Sequence, residues 1–287
     1  MTLAQLLTSY VSEHPDLADC SRQALTYSLN NFRKFLGHEP VVEDLNKTTI
    51  LAWMAWAGQK QSPRSVNHHR TNLLSLWNFA ADLELIQPPR RIPKRKEPHR
   101  EPVVWTLEDV QRLYSATDLL EGEWCGVPIR LAWKVALAVL YDTAARIGTL
   151  FQADLTEINL TTGQWHVPYN HLKGGRADRI FQLHADTISV IQDSLITPRK
   201  KLWPFPFGRR QLWFHWRKLL NLAGLQYDRH RGFHCLRRTA ESYAAANMGI
   251  EFAAAAVGHS VEIARKHYIS STICKSPNLI DGLPRIF

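Results

Sequence analysis

The segment His234-Cys-Leu-Arg237-Arg238-Thr239 is followed along the chain by Gly258-His259 and then, nine residues later, by Tyr268. Arginine presents a planar, permanently charged fork that matches phosphate oxygens, and histidine donates to a phosphoryl oxygen or moves a proton near neutral pH. A tyrosine beside such cations is either an activated attacking group or a packed ring. The spacing therefore indicates chemistry on a phosphodiester and leaves two roles open for the tyrosine.

Two cationic positions lie upstream of this segment. Residues 129–143 are almost wholly apolar, which predicts a buried helix that leads directly into Ala144-Ala145-Arg146. Residues 164–169 and 179–183 are strand-like, and Lys173-Gly174-Gly175 between them supplies a turn. We therefore expect a β-hairpin that carries Lys173.

The remainder of the C-terminal region has the pattern of a helical domain. Thr106-Leu-Glu108-Asp109 predicts a helix start, because its acidic residues lie over the positive end of the helix dipole. Further helices are predicted at 208–223, 235–247, 251–257 and 261–267.

Residues 1–87 are predicted to form a small all-helical domain. Leu25, Leu29, Phe32 and Leu36 share one face of a helix that Gly37 ends, and 49–57 is a second apolar stretch. A third helix is expected to start at Ser62-Pro63, a cap residue followed by proline at the first helical position. Three basic side chains near that start are candidates for phosphate contacts or for an ordinary solvated face: Arg64, His68 and Arg70.

A basic, proline-rich segment at 88–102 is predicted to be a linker. Its prolines interrupt helix and sheet hydrogen bonding, and its cations outnumber its acids. A spacer that is merely solvated does not need this excess of positive charge, so we expect the segment to contact the DNA backbone. The candidates are Arg90, Arg91, Lys94, Arg95 and Lys96.

The whole composition is that of a basic globular protein. Of 287 residues 45% are hydrophobic, and 35 Lys and Arg against 26 Asp and Glu give a net charge of +9, which indicates a polyanionic partner. The four cysteines are far apart and show no metal-ligand spacing, so neither zinc nor a disulfide framework is expected. No signal peptide or membrane span is apparent, which predicts a cytoplasmic protein.

Taken together, these motifs resemble the tyrosine recombinase (phage integrase) family. The matching stretches are Asp142-Thr-Ala-Ala-Arg146-Ile-Gly-Thr-Leu150, Leu172-Lys173-Gly-Gly-Arg176, His234-Cys-Leu-Arg237-Arg-Thr, Val257-Gly-His259-Ser260 and Tyr268-Ile-Ser. Any one of them occurs by chance, but five in order are specific. The resemblance implies a mainly α protein with a small β-sheet, in which a helical core-binding domain (1–87) and the linker precede an α+β catalytic domain (103–287).

The resemblance also implies the roles of the residues. Tyr268 would be the nucleophile that forms a 3′-phosphotyrosyl link, with no metal, cofactor or ATP. Arg146, Arg237 and His259 would bind the phosphate oxygens. His234 would accept a proton or position the reacting groups, and Lys173 would donate a proton. Arg176 and Arg238 are added to the DNA-binding candidates. Such an enzyme would bind a duplex recombination site as a dimer and would form a tetramer in the synapse.

The chain departs from the family pattern beside the first arginine. The family often has Gly-Leu or Gly-Met before this arginine and Ser-Glu soon after it, whereas this chain has Ala144-Ala145 and Gly148-Thr149. The acidic partner is therefore missing. Two other functions remain as alternatives: a type IB topoisomerase, which shares the chemistry, and a DNA-binding protein of the same fold that no longer cuts.

Two expectations concern the ends of the chain. No arm-binding domain is expected ahead of the helical region, which favours a simple recombinase over one that bridges distant arm sites. The tail at 271–287 is a candidate for docking on a neighbouring protomer or for packing on its own domain.

Overall fold

The computed structural model of the protein describes residues 1–98, 100–175 and 177–274, apart from the side chain of Arg209. The chain divides into two compact units, Met1–His99 and Arg100–Phe287. The expected fold class, mainly α with a small β-sheet, is confirmed. Within the described residues, no helix combines the length and the apolar character needed to span a membrane.

The N-terminal unit is built from four helices. They are α1 (Leu3–Glu13), α2 (Asp19–Leu36), α3 (Lys47–Ala57) and α4 (Pro63–Asp82). The predicted boundaries at Gly37 and Ser62 are confirmed, because Gly37 adopts the left-handed conformation that ends α2 and Ser62 caps α4 through the amide of Ser65. Helix α1 was not predicted. It begins at a capping box formed by Thr2 and Gln5.

The basic segment after α4 packs in part against the N-terminal unit and is not simply a solvated spacer. Ile92 is buried at 3% exposure, and the indole of Trp77 donates to the carbonyl of Gln87. The amide side chain of Asn67 pairs with the backbone of Arg95 in both directions, at 2.9 Å and 2.8 Å. An asparagine amide carries a donor and an acceptor side by side, so it can hydrogen-bond both the carbonyl and the amide of one extended residue, as a neighbouring strand would.

The C-terminal unit contains eight helices and two small sheets within its described residues. The helices are α5 (Leu107–Ser115), α6 (Ile129–Thr143), α7 (Ile147–Gln152), α8 (Ala185–Asp193), α9 (Arg209–Leu222), α10 (Phe233–Met248), α11 (Ile250–Val257) and α12 (Val261–His267). The strands are β1 (Glu123–Trp124), β2 (Val127–Pro128), β3 (Ile158–Asn159), β4 (Gln164–Val167) and β5 (Arg179–Gln182).

The predicted hairpin is confirmed, with two corrections. Strands β4 and β5 are antiparallel with Trp165 opposite Phe181, but β4 ends at Val167 and not at residue 169. Proline follows at 168 and lacks the amide hydrogen that a further ladder bond needs. A third strand, β3, pairs with β4 on its other side.

Helix α6 forms the centre of the C-terminal core, as its apolar sequence predicts. Trp133 is fully buried and contacts Trp203, Trp216 and Phe233 at ring-centroid distances of 5.4–6.2 Å. The predicted bounds of α6 and α12 are those of the structure. Because α6 is held rigidly by this packing, the turn that follows it has a defined position.

Candidate active site

Arg146 follows a sharp turn at the end of α6. Ala144 closes the helix in the left-handed conformation, with φ 47° and ψ 28°. This conformation costs a residue with a Cβ about 1–2 kcal/mol, which accounts for the glycine that the family pattern often has in this region. Arg146 then occupies the cap position of α7, and its carbonyl accepts from the amide of Thr149 at 2.9 Å.

Lys173 is carried by the loop between β4 and β5. The carboxylate of Asp178 accepts from the amide of Tyr169 at 2.8 Å and closes the loop at its base. The hydroxyl of Thr149 donates to the carbonyl of His171 at 3.2 Å, which joins the start of α7 to the same loop. Thr149, where the family pattern has an acid nearby, thus links the elements that carry Arg146 and Lys173.

Helix α10 contributes His234 and Arg237 from adjacent positions on one turn. Arg237 is buried at 3% exposure and donates through Nη1 to the carbonyl of Ala144. Its Nε and Nη2 find no hydrogen-bond acceptor among the described residues. Buried guanidinium donors are costly to leave unpaired, so these two atoms favour the binding of an anion that accepts from them.

His259 and Tyr268 stand at the two ends of α12. Gly258 precedes His259 in the left-handed conformation, with φ 83°, and Ser260 caps the helix. Tyr268 is the residue at its C-terminal end, and the Ser242 hydroxyl donates to the Tyr268 carbonyl at 3.0 Å. The two rings stack with centroids 4.7 Å apart, and the guanidinium carbon of Arg237 lies 5.1 Å from the Tyr268 ring centroid.

A cleft of about 340 Å³ joins these elements and is strongly cationic. It is lined by Arg146, Lys173, Arg237 and Arg179, with Asp178 as an acidic neighbour. Burial first, and then the charge of Arg146, lower the pKa of Arg179. A cleft with this charge distribution attracts an anion that accepts several hydrogen bonds, such as a phosphodiester.

The positive charge of the cleft acts on His234. Desolvation first, and then the charges of Arg237, Arg238, Arg146 and Lys173, lower the pKa of His234 to about 4. The residue retains an exposed surface. Its imidazole is therefore neutral at physiological pH and has a free electron pair to accept a proton.

Two residues of the site were not predicted. Arg179 donates to the carbonyl of Ala256 at 3.2 Å, and a Cβ on Gly258 would lie 1.9 Å from its Nη2, so this guanidinium supports the turn before His259. Glu241 is fully buried, with Oε1 2.8 Å from Nε2 of His259. Burial raises the pKa of Glu241 to about 7 against the opposing effect of Arg237. Its position four residues after Arg237 places both on one helix face, which was the available sequence signal.

The structure brings the six predicted catalytic residues into one region of the C-terminal unit. The predicted DNA-binding residues are distributed over both units. Arg238 is half-buried on α10, and Arg176 lies outside the described residues. The other candidates belong to the N-terminal unit. Six of those are exposed: Arg64, His68, Arg90, Arg91, Lys94 and Lys96.

Two candidates have partners within the N-terminal unit. Arg70 donates to the carbonyl of Ile92, so its guanidinium holds the basic segment in place. Arg95 lies over Gly58, where a Cβ would lie 1.1 Å from its Nη1. Both side chains thus contact the N-terminal unit, because the basic segment folds back onto α4, and their binding to phosphates stays a prediction.

The family model of the phage integrase family matches residues 104–273, more than half of the chain, including every residue that lines the cleft. The chain belongs to the phage integrase family. The predicted resemblance is thereby confirmed. The described residues contain no group of three or more His, Cys, Asp or Glu side chains that could hold a metal ion.

Curated relatives of this phage integrase family chain are tyrosine recombinases. The chain is 26% identical over 163 residues to tyrosine recombinase XerD of Listeria innocua serovar 6a, covering 56% of this chain and 52% of the relative. It is 27% identical over 162 residues to XerD of Listeria monocytogenes serovar 1/2a, covering 55% and 51%. The chain therefore spans about half the length of the curated relatives that it matches.

Solved structures share the fold over nearly the whole chain. The Tn1549 transposon integrase in complex with transposon right end DNA superposes with a TM-score of 0.73 at 11% identity, covering 98% of this chain and 97% of that one. A lambda integrase dimer bound to a COC′ core site superposes with a TM-score of 0.72 at 16% identity, covering 97% and 99%. At these identities the likeness concerns the fold.

Proposed function

We propose that the chain is a site-specific DNA recombinase that cleaves and rejoins DNA strands through a 3′-phosphotyrosyl intermediate. The observation that carries this proposal is the position of Tyr268. Its ring stacks on His259 and faces Arg237, beside a cleft with four cationic side chains. Cationic side chains in this position would stabilise both an attacking phenolate and the phosphate that it attacks.

The arginines are assigned to the non-bridging phosphate oxygens. Arg146 and Arg237 line the cleft, and Arg237 keeps Nε and Nη2 without acceptors among the described residues. These two guanidiniums supply donors where negative charge grows as five-coordinate phosphorus forms. These groups supply the positive charge that stabilises the transition state.

Two further residues are assigned to proton transfer. Tyr268 is assigned to lose its proton to His234, which is neutral in the free protein because burial and nearby cations lower its pKa to about 4. The negative charge of a bound phosphate offsets those cations and makes the imidazole a stronger base. The phenolate oxygen forms the new bond to phosphorus, and the bond to the 5′-oxygen breaks. Lys173, exposed on its loop in the same cleft, gives the leaving oxygen a proton. The products are a 3′-phosphotyrosyl strand and a free 5′-hydroxyl.

The covalent link retains the energy of the phosphodiester bond. A 5′-hydroxyl from a second duplex attacks the phosphotyrosine in the reverse reaction, so strand exchange needs no ATP. In this proposal the helical N-terminal unit is the core-binding domain, and the exposed cations between residues 90 and 96 cross the DNA backbone.

The proposed partner is a duplex recombination site. Solved structures with this fold include a lambda integrase dimer bound to a core site and a lambda integrase tetramer bound to a Holliday junction. We assign this chain the same assemblies, a dimer on each site and a tetramer in the synapse. The tail that was expected to dock on a neighbour lies outside the described residues beyond residue 274.

Covalent trapping on a nicked suicide duplex tests the proposal. Wild-type protein is expected to form a DNA adduct that survives denaturation, and Tyr268→Phe is expected to form none. Tyr243→Phe is the matched control, because Tyr243 is a half-buried tyrosine of α10 outside the group that Tyr268 forms with His259 and Arg237. An adduct that Tyr268→Phe leaves undiminished would refute the mechanism.

The same experiment addresses the two alternatives. A catalytically silent DNA-binding protein gives no adduct with the wild-type chain. A type IB topoisomerase forms the adduct and relaxes supercoiled DNA, but it does not exchange strands between two duplexes. Recombinant products from two labelled duplexes therefore decide between relaxation and recombination.

A further inference from the structure

Glu241 is a buried acid that the proposed chemistry does not use. It lies on α10 one turn after Arg237, and its side chain is 0% exposed. An ionisable side chain is almost never fully buried unless it is paired, because withdrawal from water penalises its charged form. Its retention within the site therefore requires a partner.

The partner is His259. Oε1 of Glu241 lies 2.8 Å from Nε2 of His259, whose side chain is 5% exposed. The approach is not aligned as a hydrogen bond, and both carboxyl oxygens lack any other hydrogen-bond partner among the described residues. The two groups are therefore in close polar contact, and each is the nearest titratable neighbour that the other touches within the described part of the chain.

The other nitrogen of His259 also has a neighbour. Nδ1 lies 3.3 Å from the carbonyl of Ser260. With contacts at both nitrogens, the imidazole has one defined plane, and in that plane it stacks on Tyr268. The position of the proposed nucleophile is thus linked to Glu241 through one ring.

The charges around His259 are otherwise positive. Desolvation first lowers the pKa of His259, the contact with the Ser260 carbonyl opposes this, and the charges of Arg237, Arg146 and Arg179 lower the pKa further. Among these neighbours, the Glu241 carboxyl is the acidic group in contact with the ring. In the family pattern an acid often follows the first arginine, whereas here Thr149 stands in that region and bonds the carbonyl of His171.

We propose that Glu241 is a positioning residue of this active site, which holds His259 against Tyr268. This inference rests on the proposed function, since it assigns Glu241 an effect on the rate at which Tyr268 attacks. Glu241 does not contact the DNA in this account. It acts through His259.

The test compares rates of covalent adduct formation at saturating suicide substrate. Glu241→Gln keeps the volume but removes the carboxyl charge, and its rate is expected to fall by about tenfold or more because the reacting groups lose their alignment. DNA affinity is expected to change less than about twofold, since the residue is buried away from the substrate. Glu251→Gln, an exposed acid on α11, is the matched control and should keep the wild-type rate.

A second background shows whether Glu241 acts through His259. In His259→Ala protein, adding Glu241→Gln should change the rate less than about twofold, because the ring that it positions is gone. Glu241→Met, which fills the site without a polar oxygen, should melt at or above the wild-type temperature and be as slow as the glutamine variant.

Three outcomes are decisive. A Glu241→Gln protein as fast as wild type would overturn the inference, because it would show that only volume matters. An equal loss of rate in the His259→Ala background would also overturn it. A wild-type chain that forms no adduct would instead refute the proposed function, so the two failures are distinguishable.

Discussion

The ring of His259 stacks on the ring of Tyr268, with centroids 4.7 Å apart and planes 24° apart. The two residues are nine positions apart and flank the short helix α12, which fixes their separation. Ser242 of α10 holds the far side of this unit through the carbonyl of Tyr268 and the amide of Ser270. The proposed nucleophile is therefore positioned by side-chain stacking and by its own backbone.

Lys173→Ala is predicted to slow strand cleavage by roughly 10²–10⁴-fold, the usual contribution of a positioned proton donor. The loss should largely disappear with a substrate whose bridging 5′-oxygen is replaced by sulfur, because a thiolate leaves without a proton. Adduct formation on the two substrates measures this. Lys200→Ala, an exposed lysine beside Asp154, should behave as wild type on both. An equal loss on both substrates would refute the assignment.

His234 is predicted to titrate with a midpoint near pH 4 in the DNA-free protein, well below the ordinary pKa of 6.5. The unfolded chain then binds this proton more tightly than the folded chain, so His234 contributes stability above about pH 6.5 that is lost as pH falls toward 4. NMR of the imidazole, assigned with His234→Gln, measures the midpoint. A midpoint near 6.5 would contradict the cationic surroundings described.

The exposed cations of the basic segment are predicted to bind DNA phosphates. Replacing Arg90, Arg91, Lys94 and Lys96 together with alanine should lower the slope of log affinity against log salt by about 0.9 for each phosphate that is no longer neutralised. Arg70→Ala is the contrast, because its guanidinium is bound to the carbonyl of Ile92. Arg70→Ala should mainly lower the stability of the protein and leave the salt slope nearly unchanged. An unchanged slope in the fourfold variant would exclude phosphate binding by this segment.

Asn67→Ala is predicted to release the basic segment from α4. The loss of two hydrogen bonds to a backbone unit should weaken this local structure by about 1–3 kcal/mol. Hydrogen exchange at the amide of Arg95 should accelerate about tenfold for each 1.4 kcal/mol. Asn30→Ala, an exposed asparagine of α2, should leave the exchange rate unchanged. Unchanged exchange in Asn67→Ala would show that other interactions hold the segment.

Local sequence signals predicted the elements that carry the site. The apolar run that forms α6 and the glycine turn at Lys173 each depend on neighbours within one or two turns of chain. They therefore predicted the hairpin and most helices of the C-terminal unit. Strand β3 has two residues, too few to show an alternating pattern, and it was not predicted.

Local sequence patterns could not predict the contacts between residues that are far apart in the chain. Asn67 and Arg95 are 28 positions apart, and Thr149 and His171 are 22 apart, so their pairing depends on how whole elements pack. The spacing of Glu241 from Arg237 puts both residues on one helix face, but that local signal does not show which residue outside α10 the carboxyl contacts. Only the fold places its carboxyl beside His259, eighteen residues later in the chain.

The most direct test of the account is the identity of the residue that carries DNA after cleavage. Trypsin cuts after Lys266 and yields the peptide 267–275, in which Tyr268 is the only tyrosine and lies near Ser270, Ser271 and Thr272. Mass spectrometry of the nuclease-trimmed adduct should find the nucleotide on Tyr268. A nucleotide on Ser270, Ser271 or Thr272, or on another peptide, would contradict the central claim.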